Sequence, residues 1–518
     1  MGNSEGGFRE YWELVRKYPK FQGGFIWDFV DQSIRWTNSK GRQIWAYGGD
    51  WNEYDASTNN FCDNGLIAPD RTWNPHAYEV QYYYQNIWTS YVNNSSISDF
   101  ELNIHNENFF RDLSDVLLSW TLIRNGEIIE TGVVDALKVS PQQETRVKLN
   151  VSSSIEQREE YFINLSYKLR RSEGLLPAGT EIARQQLQVT DPFQATINSL
   201  YSKNTSFLSD ANKVCRLSKP VPNVSIAFDP TTGFLCRYVL DGVNYLAEGG
   251  QLTPNFWRAP TDNDFGAGLQ RRLSVWRDPE LKLTSFADET NAQGQRKVTA
   301  HYDMSAVKAE LVLTYTIDAY GQIDVQQQFI THGKAYPTHF PRGRRPQEPA
   351  ADEILPMFRF GMQYPMPMQF EQLTYYGRGP IENYCDRKDS QFVGIYESTV
   401  TDEFYPYIRP QENGNHCDVR WMQLATPNGN KLRIVPLNSD GQLLSASALH
   451  YTQASLDEGD AKRNLHSPDI DPAPLTNVLI DYKQMGLACE NSWGAVPQEP
   501  YLVPYQDYTF CFSLIPVK

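Results

Sequence analysis

Apolar residues keep two different rhythms along this chain. Near the start they recur at helical spacing or gather in one short solid block; beyond about residue 96 they alternate with polar ones. Phe8, Tyr11, Trp12 and Val15 carry the spacing of an amphipathic helix, with Asn3 or Ser4 as its capping residue and Pro19 as its stop. Gly23–Gln32, read Gly-Gly-Phe-Ile-Trp-Asp-Phe-Val-Asp-Gln, has the pattern of a strand buried on both faces. A Gly/Asn/Asp-rich loop follows, and then a second helix from about His76 to Ile87. Helix, strand, long loop, helix makes one and a half units of a (β/α)8 barrel, and a barrel cannot close on one strand.

From Ser96 to Val189 the period is two. Leu117, Ser119, Thr121 and Ile123 alternate with Leu118, Trp120 and Leu122, Asn125-Gly126 is a hairpin signal, and the Pro177-Ala-Gly-Thr turn precedes a final strand. This predicts an immunoglobulin-like sandwich. Residues 191–220 read as a polar crossover. From Val221 onward the pattern is again all-β, with turns at Asp229-Pro230 and Asp241-Gly242 and a closing strand in which Tyr508, Phe510, Phe512 and Leu514 alternate with Thr509, Cys511 and Ser513. One large two-sheet sandwich is expected there, with Pro341–Asp352 as a mobile surface loop. The fold class is therefore mainly β: a truncated barrel over residues 1–90, a sandwich over 91–192, a linker over 193–220 and a large sandwich over 221–518.

Charge and composition narrow the partners. The 518 residues include 47 basic and 62 acidic side chains, a net charge of −15, which argues against nucleic acid or an anionic membrane surface as partner. No apolar run is long enough to span a bilayer, and no signal peptide begins at Met1. Seven scattered cysteines read as reduced thiols and the eight histidines show no ligand spacing. Aromatics make up 13%, which suits β-rich cores and carbohydrate contact alike. Trp27, Asp28 and Asp31 place an indole and two carboxylates at the end of one apolar run, the mixture a sugar site needs. A core strand ending in a capped turn explains the same residues without any ligand.

Longer motifs favour the sugar. Met1-Gly2-Asn3-Ser4, Gly6-Gly7-Phe8, Gly23–Asp28, Tyr47-Gly48-Gly49-Asp50 and Phe61-Cys62-Asp63-Asn64-Gly65-Leu66 occur in the order and with the gaps of the last part of a glycoside hydrolase family 2 β-galactosidase barrel. Asn255–Asp264, Tyr376–Tyr384 and Tyr407–Gly414 resemble that family's last domain, which is similar in fold to galactose mutarotase. The resemblance covers essentially the whole chain and implies hydrolysis of terminal β-D-galactosyl residues with retention. It also implies that both catalytic glutamates and the magnesium ligands lie upstream of Met1, so the chain alone is expected to be inactive. Trp27, Phe61, Asn64 and Trp493 match substrate-shell positions. The Phe61 carbonyl and Asn64 side chain match two of the sodium ligands, the aspartate being absent. Ala488-Cys489-Glu490 stands where the family has Gly-Gly-Asp. Arg258–Asp264 and Arg378–Glu382 are expected as ion pairs locking loops, in preference to sugar contacts. The intact enzyme would be a homo-oligomer, cytoplasmic or else periplasmic. Two other readings stay open: a non-catalytic subunit completing a partner's barrel, and a free-standing carbohydrate-binding protein.

Overall fold

The computed structural model describes residues 2–52, 54–92, 99–190, 221, 223–292, 295–333, 354, 356–488 and 494–517. The expected crossover, the loop at 341–352 and Trp493 lie outside the described residues.

The helix predicted at the start is α1, Phe8–Lys17, and it packs Phe8 against Tyr83 of α2, Pro75–Tyr84. Its cap is Gly7, in the left-handed region at φ 76°, and not Asn3 or Ser4. Those two residues are held by the last domain instead: the Asn3 N–H donates to Gln411 Oε1 (2.9 Å), and Arg387 donates to the Ser4 carbonyl (2.8 Å). The second helix stops at Tyr84, short of Ile87, which opens a strand of the next domain.

Gly23–Gln32 does not form a ladder strand. It is extended, but its one bridge joins Val30 to Ile67 in parallel, and the N–H groups of residues 22–27 find no partner among the described residues. A strand needs neighbours on both sides to pair its backbone. Within this segment Phe25, Trp27 and Phe29 are 105%, 76% and 63% exposed, while the intervening Ile26, Asp28 and Val30 are half-buried. The alternation of a strand is present without its sheet. The Gly/Asn/Asp-rich stretch, expected as a loop, holds a hairpin, Ile34–Thr37 paired antiparallel with Gln43–Ala46.

The sandwich faces a three-stranded sheet (Ile87–Tyr91, Glu101–Asn106, Glu144–Lys148) against a four-stranded one ordered Glu127–Val134, Val116–Arg124, Tyr161–Leu169, Glu181–Gln188. Leu102, Ile104, Leu118, Leu122 and Ile163 meet between them with no exposed surface. The Asn125-Gly126 hairpin forms with both residues at positive φ (50° and 87°), as a two-residue turn of this hand requires. A Cβ on Gly126 would lie 2.5 Å from Ile395, because the hairpin tip docks on the last domain. There Ile123 and Phe162 share a cluster with Tyr376 and Val393, and Arg420 pairs with Glu160 at 2.6 Å.

That last domain packs a nine-stranded antiparallel sheet on a five-stranded one. The closing strand, Tyr508–Val517, lies in the middle of the larger sheet, between Ile323–Ile330 and Lys431–Pro436. Phe510, Phe512 and Leu514 meet Met362, Tyr364 and Ile480 of the smaller sheet in one core, all fully buried. Each such side chain contributes roughly 1.5–3 kcal/mol relative to leaving it in water. Among the described residues no helix is long and apolar enough to cross a membrane.

One buried charge sets a pH dependence. Arg359 has two acids against it, Glu412 at 2.7 Å and Asp481 at 3.1 Å. Burial, aided by Glu412 and opposed by Arg359, pushes the Asp481 carboxyl up from 3.8 to about 7. Between about pH 4 and pH 7 the folded chain holds a proton that the unfolded chain has released, so this group lowers stability as pH rises through that window. Asp481→Asn removes the titration and leaves Arg359 its Glu412 partner. The urea midpoint of the variant is expected to gain on the native chain from pH 5 to pH 8; parallel profiles would contradict this.

Candidate functional site

The site residues sit on two segments that run side by side. The Asp28 N–H donates to the Asn64 carbonyl (2.8 Å), the Leu66 N–H to the Asp28 carbonyl (3.1 Å), the Asp31 N–H to the Ile67 carbonyl (2.9 Å) and the Gln32 N–H to the Cys62 carbonyl (3.0 Å). Gly65 makes this closeness attainable, since a Cβ there would lie 2.1 Å from the Asp31 nitrogen. Trp27 and Asn64 thereby become neighbours at the open edge, and Phe61, 40% exposed, lies just beyond on a short 3-10 turn, Asn59–Cys62.

The two carboxylates of the motif serve the backbone. Asp31 is buried and accepts from the Gly65 N–H (2.6 Å) and, through its other oxygen, from Asn74 (3.4 Å). Burial raises its pKa, and the Gly65 hydrogen bond opposes that. Asp28 accepts from the Phe29 N–H (2.5 Å) and from Gln32 (2.5 Å).

The loop carrying Phe61 is clamped from the last domain. Asn60 donates to Asp262 Oδ2 (3.0 Å) and accepts from Lys462 (3.0 Å), and Arg409 donates to Asn59 Oδ1 (2.6 Å). Burial would raise the Asp262 carboxyl, but the charges of Lys462 and Arg409 hold it down at about 2. A cavity of about 380 Å³ opens between this loop and the last domain, lined by Phe61, Phe265, Gln270 and Lys462 among others.

The expected ion pairs divide. Arg258 grips Asp264 with both arms, Nη2 to Oδ1 at 2.7 Å and Nε to Oδ2 at 3.0 Å, and both side chains are buried. Arg378 and Glu382 do not pair. The chain turns between them at Gly379-Pro380; Arg378 reaches Asp418 (2.5 Å), while Glu382 takes Arg387 (3.0 Å), the Gly414 N–H (2.6 Å) and the Tyr407 hydroxyl.

Two features escaped the sequence reading. Asp63 is 2% exposed with no hydrogen bond of ordinary geometry to either oxygen among the described residues, and burial pushes it up to about 7, aided by Asp31 and Asp262 and opposed by the nearby Ser33 hydroxyl. The other is the role of Tyr407–Gly414. Arg409 and Gln411 receive the loops of the first 90 residues, through Asn59 and Asn3, and Tyr407 orders Glu382. Its length was the only signal. Ala488, the first residue of the departure from Gly-Gly-Asp, does adopt the left-handed backbone at φ 63°, and its N–H is held by Asp386 (2.9 Å).

Comparison with known proteins follows the same divisions. Residues 1–89 match the TIM barrel domain of glycosyl hydrolases family 2, residues 102–190 match domain 4 of β-galactosidase, and residues 221–514 match the β-galactosidase small chain. The chain belongs to the β-galactosidases of glycoside hydrolase family 2. It is 32% identical to the β-galactosidase of Priestia megaterium over 532 aligned residues, covering 100% of this chain and 47% of that protein. It is 29% identical to those of Vibrio vulnificus and Streptococcus thermophilus, again covering 100% of this chain but 48% and 46% of theirs. The chain thus spans about half the length of the curated β-galactosidases it matches.

Phe61 offers a carbonyl and Asn64 an amide, both neutral, while the adjacent Asp63 carboxyl is buried away from solvent. Hard cations need several oxygens, carboxylates among them. Among the described residues no group of three or more His, Cys, Asp or Glu side chains is placed to hold a metal ion.

Proposed function

We propose that this chain is the part of a β-galactosidase that supplies one aromatic wall of the galactoside site, together with the domains that hold that wall in place. Hydrolysis of terminal β-D-galactosyl residues then depends on further barrel strands that bring both catalytic carboxyls. The observation that carries the reading is the open edge itself. Phe25, Trp27 and Phe29 alternate outward near Asn64, on a segment whose N–H groups over residues 22–27 find no partner among the described residues. An aromatic platform beside an amide suits the apolar face and hydroxyls of a pyranose.

Supplying the missing strands, as a polypeptide that carries them and both glutamates, is expected to give turnover of an aryl β-galactoside. In that completed enzyme Trp27→Ala should lower kcat/KM by roughly 10- to 100-fold, the equivalent of about 1.4–3 kcal/mol of lost contact. Full activity with Trp27→Ala would remove Trp27 from the site. Calorimetry on the chain alone separates this reading from a free-standing binding protein: tight galactose or lactose binding without the added strands would favour the latter.

A further inference from the structure

A second cavity, of about 340 Å³, opens where three neighbouring strands of the smaller sheet come together, His416–Val419, Leu444–Leu449 and Leu475–Gln484. The chain around residues 385–389, the 3-10 turn Glu499–Tyr501 and Arg9 of α1 complete its walls. It shares no residue with the aromatic edge or with the clamp on the Phe61 loop. We propose that this cavity is a second small-molecule site, and that its ligand is a single neutral, hydroxyl-rich ring of monosaccharide size.

Gln484 is the residue that calls for a ligand. It lines the cavity and is 6% exposed, and neither the nitrogen nor the oxygen of its side-chain amide has a hydrogen-bond partner among the described residues. A buried amide left unpaired costs free energy that a bound acceptor and donor would recover. The three acids on the same wall are already engaged. Asp386 accepts from the Leu487 and Ala488 N–H groups (2.9 Å each), Asp418 from Lys388 (2.9 Å) and Arg378 (2.5 Å), and Asp389 from the Tyr83 hydroxyl.

Charge balance makes the ligand neutral. Three basic side chains, Arg9, Lys388 and Lys483, line the cavity together with those three acids, so an added charge would leave water without a counter-ion of its own. The apolar part of the wall asks for more than water. Leu444, Pro500 and Leu502 belong to it, and Tyr482 and Tyr501 join them with hydroxyls already spent on Asp440 and Glu10. A pyranose carries the matching pair of surfaces: a C–H face for rings and aliphatic groups, and hydroxyls that both donate and accept for the Gln484 amide. The exposed Lys483, whose ammonium lies 5.4 Å from the centre of the Tyr482 ring, supplies a further donor. Small-molecule sites run from roughly 300 to 1,000 Å³, and a cavity at the lower end of that range suits one ring.

Saturation-transfer NMR on the full chain, with galactose and with glucose as probes, is the test. One small polar ring is expected to bind with a dissociation constant on the order of millimolar, so each sugar is titrated from ~0.1 to ~50 mM. Saturable transfer is expected for at least one of them. Gln484→Leu should weaken it at least ~10-fold, as losing both hydrogen bonds of the amide does. Because that change also removes two unpaired buried atoms, the thermal midpoint of the variant should equal or exceed that of the native chain. Lys483→Ala, at an exposed position, gives an independent reading and should weaken binding roughly 3-fold through the loss of one donor. Trp27→Ala should leave the affinity unchanged, which separates this cavity from the aromatic edge. The absence of saturable transfer from both sugars would overturn the proposal, and so would binding that Gln484→Leu leaves intact. Binding lost with Trp27→Ala would place the sugar at the aromatic edge instead, and displacement of the sugar by an equal concentration of inorganic phosphate would make this an anion site; either result would also overturn it.

Discussion

An aryl β-galactoside incubated with this chain alone is expected to stay intact. A retaining glycosidase needs two carboxyls about 5–5.5 Å apart, one to attack the anomeric carbon and one to pass the proton. The two acids at the aromatic edge cannot fill those roles. Asp31 is buried with its oxygens spent on the Gly65 N–H and on Asn74. Asp28, three residues earlier on the same segment, is engaged by the Phe29 N–H and Gln32. On the proposed reading, in which both catalytic carboxyls come from further strands, a stacking surface alone would bind ground state and transition state alike, and uniform binding does not accelerate the reaction. The check is release of the aryl group measured against a buffer blank. Turnover that copurifies with the chain and vanishes on Asp28→Asn or Asp31→Asn would overturn this account.

Arg258→Ala should destabilise the last domain by roughly 3–5 kcal/mol, the usual cost of leaving one partner of a buried ion pair alone. Arg258 has no exposed surface; it satisfies Asp264 twice and also donates to the carbonyls of Met485 (2.8 Å) and Gly486 (3.1 Å). Asp264 is in turn half of the capping box that starts the short helix Asp262–Ala267: its carboxylate accepts from the Thr261 N–H, while its own N–H donates to the Thr261 hydroxyl. Removing the guanidinium therefore orphans a buried carboxylate and two carbonyls, and loosens the helix that presents Asp262 to the Phe61 loop. Arg9→Ala is the control. Its partner Glu13 is one helical turn away, both side chains are about half exposed, and such pairs are worth only about 0.3–0.5 kcal/mol. Urea unfolding of the two variants should separate them clearly; a change under about 1 kcal/mol for Arg258→Ala would show that the site relaxes to admit water.

What could be read in the sequence was whatever local spacing decides. The helix Phe8–Lys17 follows from its own periodicity, and the Asn125-Gly126 turn from the backbone freedom of two residues. Arg258 and Asp264 lie one short loop apart, so their pairing was legible too. Positions whose partners lie far along the chain were not. Asn3 and Ser4 have the chemistry of a helix cap, yet Gln411 and Arg387 claim them from about 400 residues away. Arg378 and Glu382 are close in sequence, but the turn at Gly379-Pro380 parts them, and Asp418 arrives on another strand's edge. Gly23–Gln32 has the composition of a buried strand and only half of its environment, because burial belongs to the sheet and not to the segment. Trp27, Phe61 and Asn64 stood out in the sequence as candidates; the clamp of Asp262, Lys462 and Arg409 on the Phe61 loop was hidden in motifs whose length was informative and whose roles were not.

Hydrogen exchange on the monomeric chain, read segment by segment, tests most directly the claim that the first 90 residues are an open part of a barrel. Residues 22–27 should exchange fast, since their N–H groups have no partner among the described residues, while Phe512–Leu514, laddered on both sides at the centre of the nine-stranded sheet, should be strongly protected. Adding a polypeptide that carries the missing strands should slow exchange at 22–27 and leave Phe512–Leu514 unchanged. Equal protection of the two segments in the chain alone would contradict the account, because the aromatic edge would then already have its partners.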